Sequence, residues 1–296
     1  MGENNYTSSL DKYQIPVVEA SQGYHLVLAS PGCGKTHILA ERIRYARERG
    51  VKHEDMLCLT FTNRAAREMT NRIQKVVGGD FSELMVGNVH RFCSKFLFEQ
   101  GRIPADSAII DDEEAVSIIA DYRNEDEEGV TRDFNRYKGY QTIIFFQHFI
   151  YQMEHGHPWK YYLHPESFTD DDREAVKHIC ASQKIEYDEQ AVVNIYHHAQ
   201  EYMDEANAPG LDGKTADRIR VLLWKMYYAG CYARYKEENH LFDFEDLLLY
   251  TYDIYRSDPT CKRYPWIQVD EVQDLNGMQL AIIDLLTAED KPMVMY

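Results

Sequence analysis

At 296 residues the chain is long enough for one large domain or two ordinary ones. Its 44% hydrophobic and 27% charged residues are the balance of a soluble globular protein, and no apolar run approaches the ~18 residues a membrane span needs. A net charge of −17 excludes a nucleic-acid binder that relies on bulk positive charge, but the charge is uneven: +3 over residues 1–103, −13 over 104–240 and −7 over 241–296.

Residues 1–9 are polar and lack the basic start and apolar core of a secretory signal. A strand is predicted over 24–29, running into a glycine-rich turn and a helix over 35–49. A second strand over 56–62 leads to a helix over 63–77, and a third over 84–87 leads to a helix over 89–100. This rhythm predicts a parallel sheet with right-handed crossovers. From about residue 104 the pattern turns to helix and loop. Acidic runs at 111–114, 125–128 and 170–172 read as solvated faces. Sixteen of the 22 tyrosines lie between residues 122 and 255, where helical spacing favours core and rim over base stacking. Residues 217–236 carry the clearest helical face, with Ile219, Leu222, Leu223, Met226, Tyr227 and Gly230 recurring at three and four. The α/β signature returns at 241, with a helix over 244–255, a strand over 266–270, a helix over 277–286 and a strand from 292. The expected organisation is one α/β sheet from residues 1–103 and 241–296, interrupted by a helical insert over 104–240. A natural domain seldom stops inside a strand, as residues 292–296 do, so a truncation of a longer protein is expected. Six scattered cysteines without a C-x-x-C pair read as reduced thiols in a cytoplasm, and not as zinc ligands or disulfides.

Two segments carry chemistry. Ala29-Ser30-Pro31-Gly32-Cys33-Gly34-Lys35-Thr36 follows a predicted strand and opens a helix, the context of a phosphate loop, although Ala29 stands where the motif has its first glycine. Gly32 and Gly34 allow backbone N–H groups to turn inward onto phosphate oxygens. Lys35 is expected to reach the β/γ-phosphates of ATP and the Thr36 hydroxyl to bind Mg²⁺, with the helix N-terminus adding partial positive charge. The second segment, Ile267-Gln268-Val269-Asp270-Glu271-Val272-Gln273-Asp274, supplies a carboxylate pair at a strand end. Asp270 is expected to hold Mg²⁺ through water and Glu271 to act as the general base.

With these segments in place, the chain resembles UvrD/Rep-type superfamily 1 DNA helicases along nearly its whole length. The likeness is dense over residues 10–100 and 241–286 and architectural between them. It implies a RecA-like P-loop NTPase domain (1A) with a helical insert (1B), a second RecA-like domain outside this chain, and ATP and Mg²⁺ as cofactors. It further implies single-stranded and duplex DNA as partners, 3′–5′ translocation, unwinding, and no membrane association.

By resemblance, Gln14 in Leu10-Asp11-Lys12-Tyr13-Gln14 reads the adenine edge. In Leu59-Thr60-Phe61-Thr62-Asn63-Arg64-Ala65-Ala66-Arg67-Glu68-Met69, Thr62 and Asn63 meet the DNA backbone and Phe61 stacks on a base. In Gly87-Asn88-Val89-His90-Arg91-Phe92-Cys93, His90 and Arg91 face DNA, with Asn88 where threonine is usual. Phe242-Asp243-Phe244-Glu245-Asp246-Leu247-Leu248 resembles a box beside the DNA channel, with Phe244 its candidate contact. Gln273 senses the γ-phosphate, and His37 replaces an arginine that flanks the adenine. The residues alone leave other readings open: Phe61 and Phe244 as core, His90 and Arg91 as ordinary surface groups, and Asp274 as a helix cap. A helicase-nuclease subunit or an ATP-gated DNA-binding or defence module shares the same motifs.

Overall fold

The computed structural model describes residues 10–30, 32–288 and 293–295. A short helix α1 (Gln14–Glu19) precedes β1 (Tyr24–Leu26), and a loop with two left-handed glycines then delivers α2 (Lys35–Glu48). Strand β2 (Met56–Leu59), α3 (Asn63–Val77), β3 (Met85–Gly87) and α4 (Val89–Glu99) follow. The chain continues through β4 (Ala108–Ile109), α5 (Asp112–Tyr122), α6 (Glu127–Arg132) and the long α7 (Phe134–Glu154). Next come α8 (Asp170–Gln183), α9 (Glu189–His197), α10 (Gly213–Glu238) and β5 (Leu241–Phe242). Helix α11 (Phe244–Ser257), β6 (Trp266–Val269), α12 (Gly277–Leu286) and β7 (Met293–Met295) complete it.

The main sheet has the order β1-β7-β6-β2-β3, and every pair in it is parallel. Strands β2 and β6 are buried along their whole length, as central parallel strands must be when helices cover both faces. Their side chains join Ile38, Leu39 and Ile43 of α2 and Met69 and Ile73 of α3 in one core. Arg42 lies wholly inside this core. Its Nη1 donates to the carbonyls of Val18 (3.2 Å) and Ala20 (3.0 Å), and its guanidinium sits 4.5 Å over the Trp266 ring. One cation thus ties the carboxyl end of α1 to α2 and β6. At the opposite extreme, β1 is an edge strand whose residues are exposed, and Leu28 just beyond it is 88% exposed. Strands β1 and β2 are each shorter than the apolar runs that announce them, because residues 27–30 and 60–62 are spent on the turns at the sheet's carboxyl edge. This is a RecA-like α/β fold.

The chain divides into two compact units, one of residues up to Arg102 and from Tyr250, the other Ile103–Leu249. In the second unit, α10 is the central helix, and its Ile219, Leu222, Leu223 and Met226 join Phe146, Phe149, Ile179 and Ile195 in a core. The compact division keeps residues 241–249 with the helical unit, whereas the hydropathy pattern changes at 241. The reason is local bonding: β5 pairs with β4, and the residues after β5 are hydrogen-bonded to α7 and α10. All six cysteines are unpaired. Among the described residues no helix is long and apolar enough to cross a membrane.

Candidate functional site

In a parallel sheet, loops at the carboxyl ends of the strands all open on one edge, and that edge is where α/β proteins place ligands. Here β1 leads to the phosphate-loop segment, β6 to Asp270 and Glu271, β2 to residues 60–63, and β3 to Asn88 and α4. Gly32 (φ 84°) and Gly34 (φ 79°) adopt left-handed conformations that a Cβ would strain. Gly34 accepts the first helical bonds of α2, from the N–H groups of His37 (2.9 Å) and Ile38 (3.0 Å). Lys35 and Thr36 therefore occupy the first turn of a fourteen-residue helix. Pro31 lies outside the described residues, and Ala29 is half-buried at the start of the loop.

Lys35 Nζ lies 3.4 Å from Glu271 Oε1, although β1 and β6 are separated by β7 in the sheet order. Glu271 Oε2 accepts from Gln273 Nε2 at 2.6 Å, so lysine, glutamate and glutamine form one chain of polar contacts. The Gln273 hydrogen bond, and then Lys35, hold the Glu271 carboxyl below its ordinary range. Asp270 shifts the other way, raised by burial and by the neighbouring Glu271 charge, with Lys35 opposing. Two adjacent carboxyls are thus driven apart in acidity. Glu271 itself sits at φ 54°, in the left-handed region that a non-glycine residue rarely occupies.

Gln14 touches the same loop, its Nε2 donating to the Cys33 carbonyl (3.1 Å) while its Oε1 accepts from the Asp11 N–H (3.0 Å). His37 pairs with Glu41 one turn along α2 (3.8 Å). Helix α12 is capped by Asn276 through a reciprocal bond with Gln279, which sets aside the alternative reading of Asp274 as its cap.

The turns after β2 and β3 are built alike. Thr62 caps α3, its hydroxyl accepting from the Ala65 N–H (3.1 Å), and Asn88 caps α4, its Oδ1 accepting from the Arg91 N–H (2.8 Å). Asn88 Nδ2 also donates to Asn63 Oδ1 (3.3 Å), linking the two turns. Asparagine in place of the usual threonine thus keeps the cap and adds a bond. Phe61 is 45% exposed, not core, Arg91 is exposed and His90 is half-buried. Gly87 sits in a close approach: a Cβ there would lie 3.1 Å from Arg91 Cδ, so that side chain would have to shift.

In the helical unit, Phe244 is 42% exposed, which sets aside its reading as core. The residues beside it reveal what residue patterns missed. Asp243 and Asp246 are buried and bond each other's backbone N–H (3.0 Å each), capping α11. Asp243 also accepts from Lys236 Nζ (2.7 Å) and Tyr232 OH (2.8 Å) and bonds His148 Nε2 (2.9 Å). Burial alone would raise the Asp243 carboxyl, but His148 and Lys236 outweigh it and hold it well below the ordinary range. His148, Asp243 and Glu245 bring ligand atoms within 4.8 Å of one another, yet the Lys236 ammonium already provides Asp243 with a buried cation. The readable signal was two aspartates three apart at a helix start, the first of them between two phenylalanines.

Comparison with known proteins identifies the family. The model of the UvrD/REP helicase N-terminal domain matches residues 10–295. The chain is 27% identical over 266 residues to the ATP-dependent DNA helicase SRS2 of Saccharomyces cerevisiae, covering 88% of this chain and 19% of that protein. It is 24% identical over 294 residues to the ATP-dependent DNA helicase PcrA of Staphylococcus aureus, and equally to that of Staphylococcus epidermidis, covering 97% of this chain and 33% of each. The chain therefore spans about a fifth to a third of the curated relatives it matches. With a parallel sheet, a glycine-rich loop meeting an acidic strand end, and a family match over nearly all its residues, this chain belongs to the UvrD/REP helicase N-terminal domain family.

Proposed function

We propose that this chain is the ATP-binding part of an ATP-dependent DNA helicase that translocates 3′–5′ on single-stranded DNA and unwinds duplex. The observation that carries the reading is the approach of Lys35 to Glu271, which puts the phosphate-loop lysine and the candidate base at one point of the sheet edge. Gly32, Cys33 and Gly34 offer loop backbone to the phosphates, and Lys35 exchanges Glu271 for the β/γ-oxygens when ATP arrives. That exchange releases Glu271 to orient water for in-line attack, in which a water oxygen–phosphorus bond forms and the bridging β,γ bond breaks. Gln273, already bonded to Glu271, is placed to report on the γ-phosphate. The Thr36 hydroxyl and the Asp270 carboxylate are hard oxygen donors suited to Mg²⁺, and a cation there would favour ionised Asp270 despite its burial. Bound Mg²⁺ supplies charge neutralisation on the phosphate oxygens. Gln14 and His37 are the proposed neighbours of the base. Thr62, Asn63, His90 and Arg91 are proposed to hold the strand, with Phe61 stacking in a sequence-tolerant way and Phe244 a further contact.

In helicases built from two RecA-like domains, the second supplies an arginine to the γ-phosphate, and such trans arginines are worth ~10³–10⁵ in rate. Residues 1–296 alone are therefore expected to bind Mg·ATP weakly and hydrolyse it poorly. Lys35→Ala should abolish binding of a fluorescent ATP analogue. Undiminished binding by Lys35→Ala, or rapid DNA-stimulated turnover by the unmodified chain, would overturn this reading.

A further inference from the structure

The turns after β2 and β3 open into a groove of about 540 Å³ that shares Asn63 and Arg91 with the strand contacts proposed above and extends past them along α3. It follows one face of α3, through Asn63, Arg67, Thr70 and Asn71, and is closed by Ser82 and Arg91. Positions 63, 67, 70 and 71 recur at three and four, so they form a continuous stripe ~12 Å long. Two arginines line the groove and no carboxylate does. The helix's own acid is turned elsewhere: Glu68 pairs with Arg64 at 3.2 Å. The groove also lies in the part of the chain with net positive charge, whereas residues 104–240 carry −13.

We infer that this groove is a second stretch of strand-binding surface, taking the sugar–phosphate backbone of a nucleic-acid strand beyond the nucleotides held at Thr62 and Asn63. Arg67 is its principal phosphate contact, and the Asn71 amide donates a neutral hydrogen bond to a phosphate oxygen, while the hydroxyl of Thr70 is held by the Ala66 carbonyl (2.8 Å) and that of Ser82 by Asp80. Arg91 serves both stretches, because it borders the groove and begins α4. The groove offers backbone contacts with few base edges, so it adds affinity and salt dependence without sequence preference. This inference rests on the DNA-binding reading above and extends its footprint along α3.

The test is fluorescence anisotropy with oligodeoxythymidines of about 4 and about 12 nucleotides, within the site sizes of single-strand binders. Wild type, Arg67→Glu, Arg67→Gln and Asn63→Ala are compared in the 296-residue chain at several salt concentrations. Thermal unfolding checks that each variant folds. Arg67→Glu should weaken the long strand about tenfold or more and leave the short one within about twofold, while Asn63→Ala weakens both. Arg67→Gln should lower the salt slope for the long strand by about 0.7, the loss of one phosphate contact. An Arg67 effect equal at both lengths, or none on the long strand, overturns the groove alone. Displacement of the long strand by a poly-glutamate peptide at equal affinity also overturns it, because the surface would then suit an acidic protein. Failure of wild type to bind either length overturns the DNA-binding reading and the groove with it.

Discussion

Glu271 carries the most concentrated information of any single position. A left-handed backbone costs a non-glycine residue about 1–3 kcal/mol and persists only where the surroundings enforce it. Here the enforcing contacts are Lys35 on one carboxylate oxygen and Gln273 on the other. Glu271→Gln keeps the shape and the Gln273 contact but removes the base. It should lower single-turnover hydrolysis by about 10²–10⁴-fold and leave affinity for the ATP analogue within about threefold. Retained hydrolysis would assign the base elsewhere. At this scale the motifs were legible because phosphate chemistry demands glycine, lysine and hydroxyl at fixed spacing. The contacts among Lys35, Glu271 and Gln273 were not, since they join residues 236 positions apart through the sheet order. Asn88 is intermediate: it was legible as a departure from the family pattern, and only the structure shows that it caps α4.

Among the elements, α7, α10 and the start of α11 are locked by one buried polar cluster. His148 comes from the first, Tyr232 and Lys236 from the second, and Asp243 and Asp246 from the third; Gln147 completes it by accepting from Lys236 (3.0 Å). The pH dependence follows from the directions of the shifts. His148 is raised, because Asp243 outweighs burial, so its contribution is complete below its ordinary range near 6.5 and is lost as pH climbs through the elevated folded value. Asp246 is raised to about 6 by burial and by Asp243, and has the same sign: stability falls as pH rises through about 6. Asp243 is lowered, so its contribution exists above its ordinary range and disappears only on strong acidification. Urea unfolding of the chain should therefore show His148→Gln most destabilising near pH 5 and progressively closer to wild type by pH 9. A pH-independent difference would mean that His148 acts by packing alone. Helix boundaries such as Asn63–Val77 and Gly277–Leu286 were legible because caps and apolar spacing coincide there. The lock was not, because composition places acids on the surface by default.

For the whole molecule, the alternation of strand and helix was enough to read a parallel sheet interrupted by helices. The order β1-β7-β6-β2-β3 depends on pairings between distant segments that no local pattern encodes. That order leaves β1 at the margin, and among the described residues no strand pairs with its outer side. Tyr24 and Leu26 are each 64% exposed there, close to Leu28. A rim of unmatched peptide groups dressed with greasy side chains invites another chain to add itself. Solutions of residues 1–296 should accordingly self-associate as concentration rises, and Leu28→Lys should suppress it in sedimentation velocity. Should the lysine variant cluster just as readily, the stickiness lies on some other face.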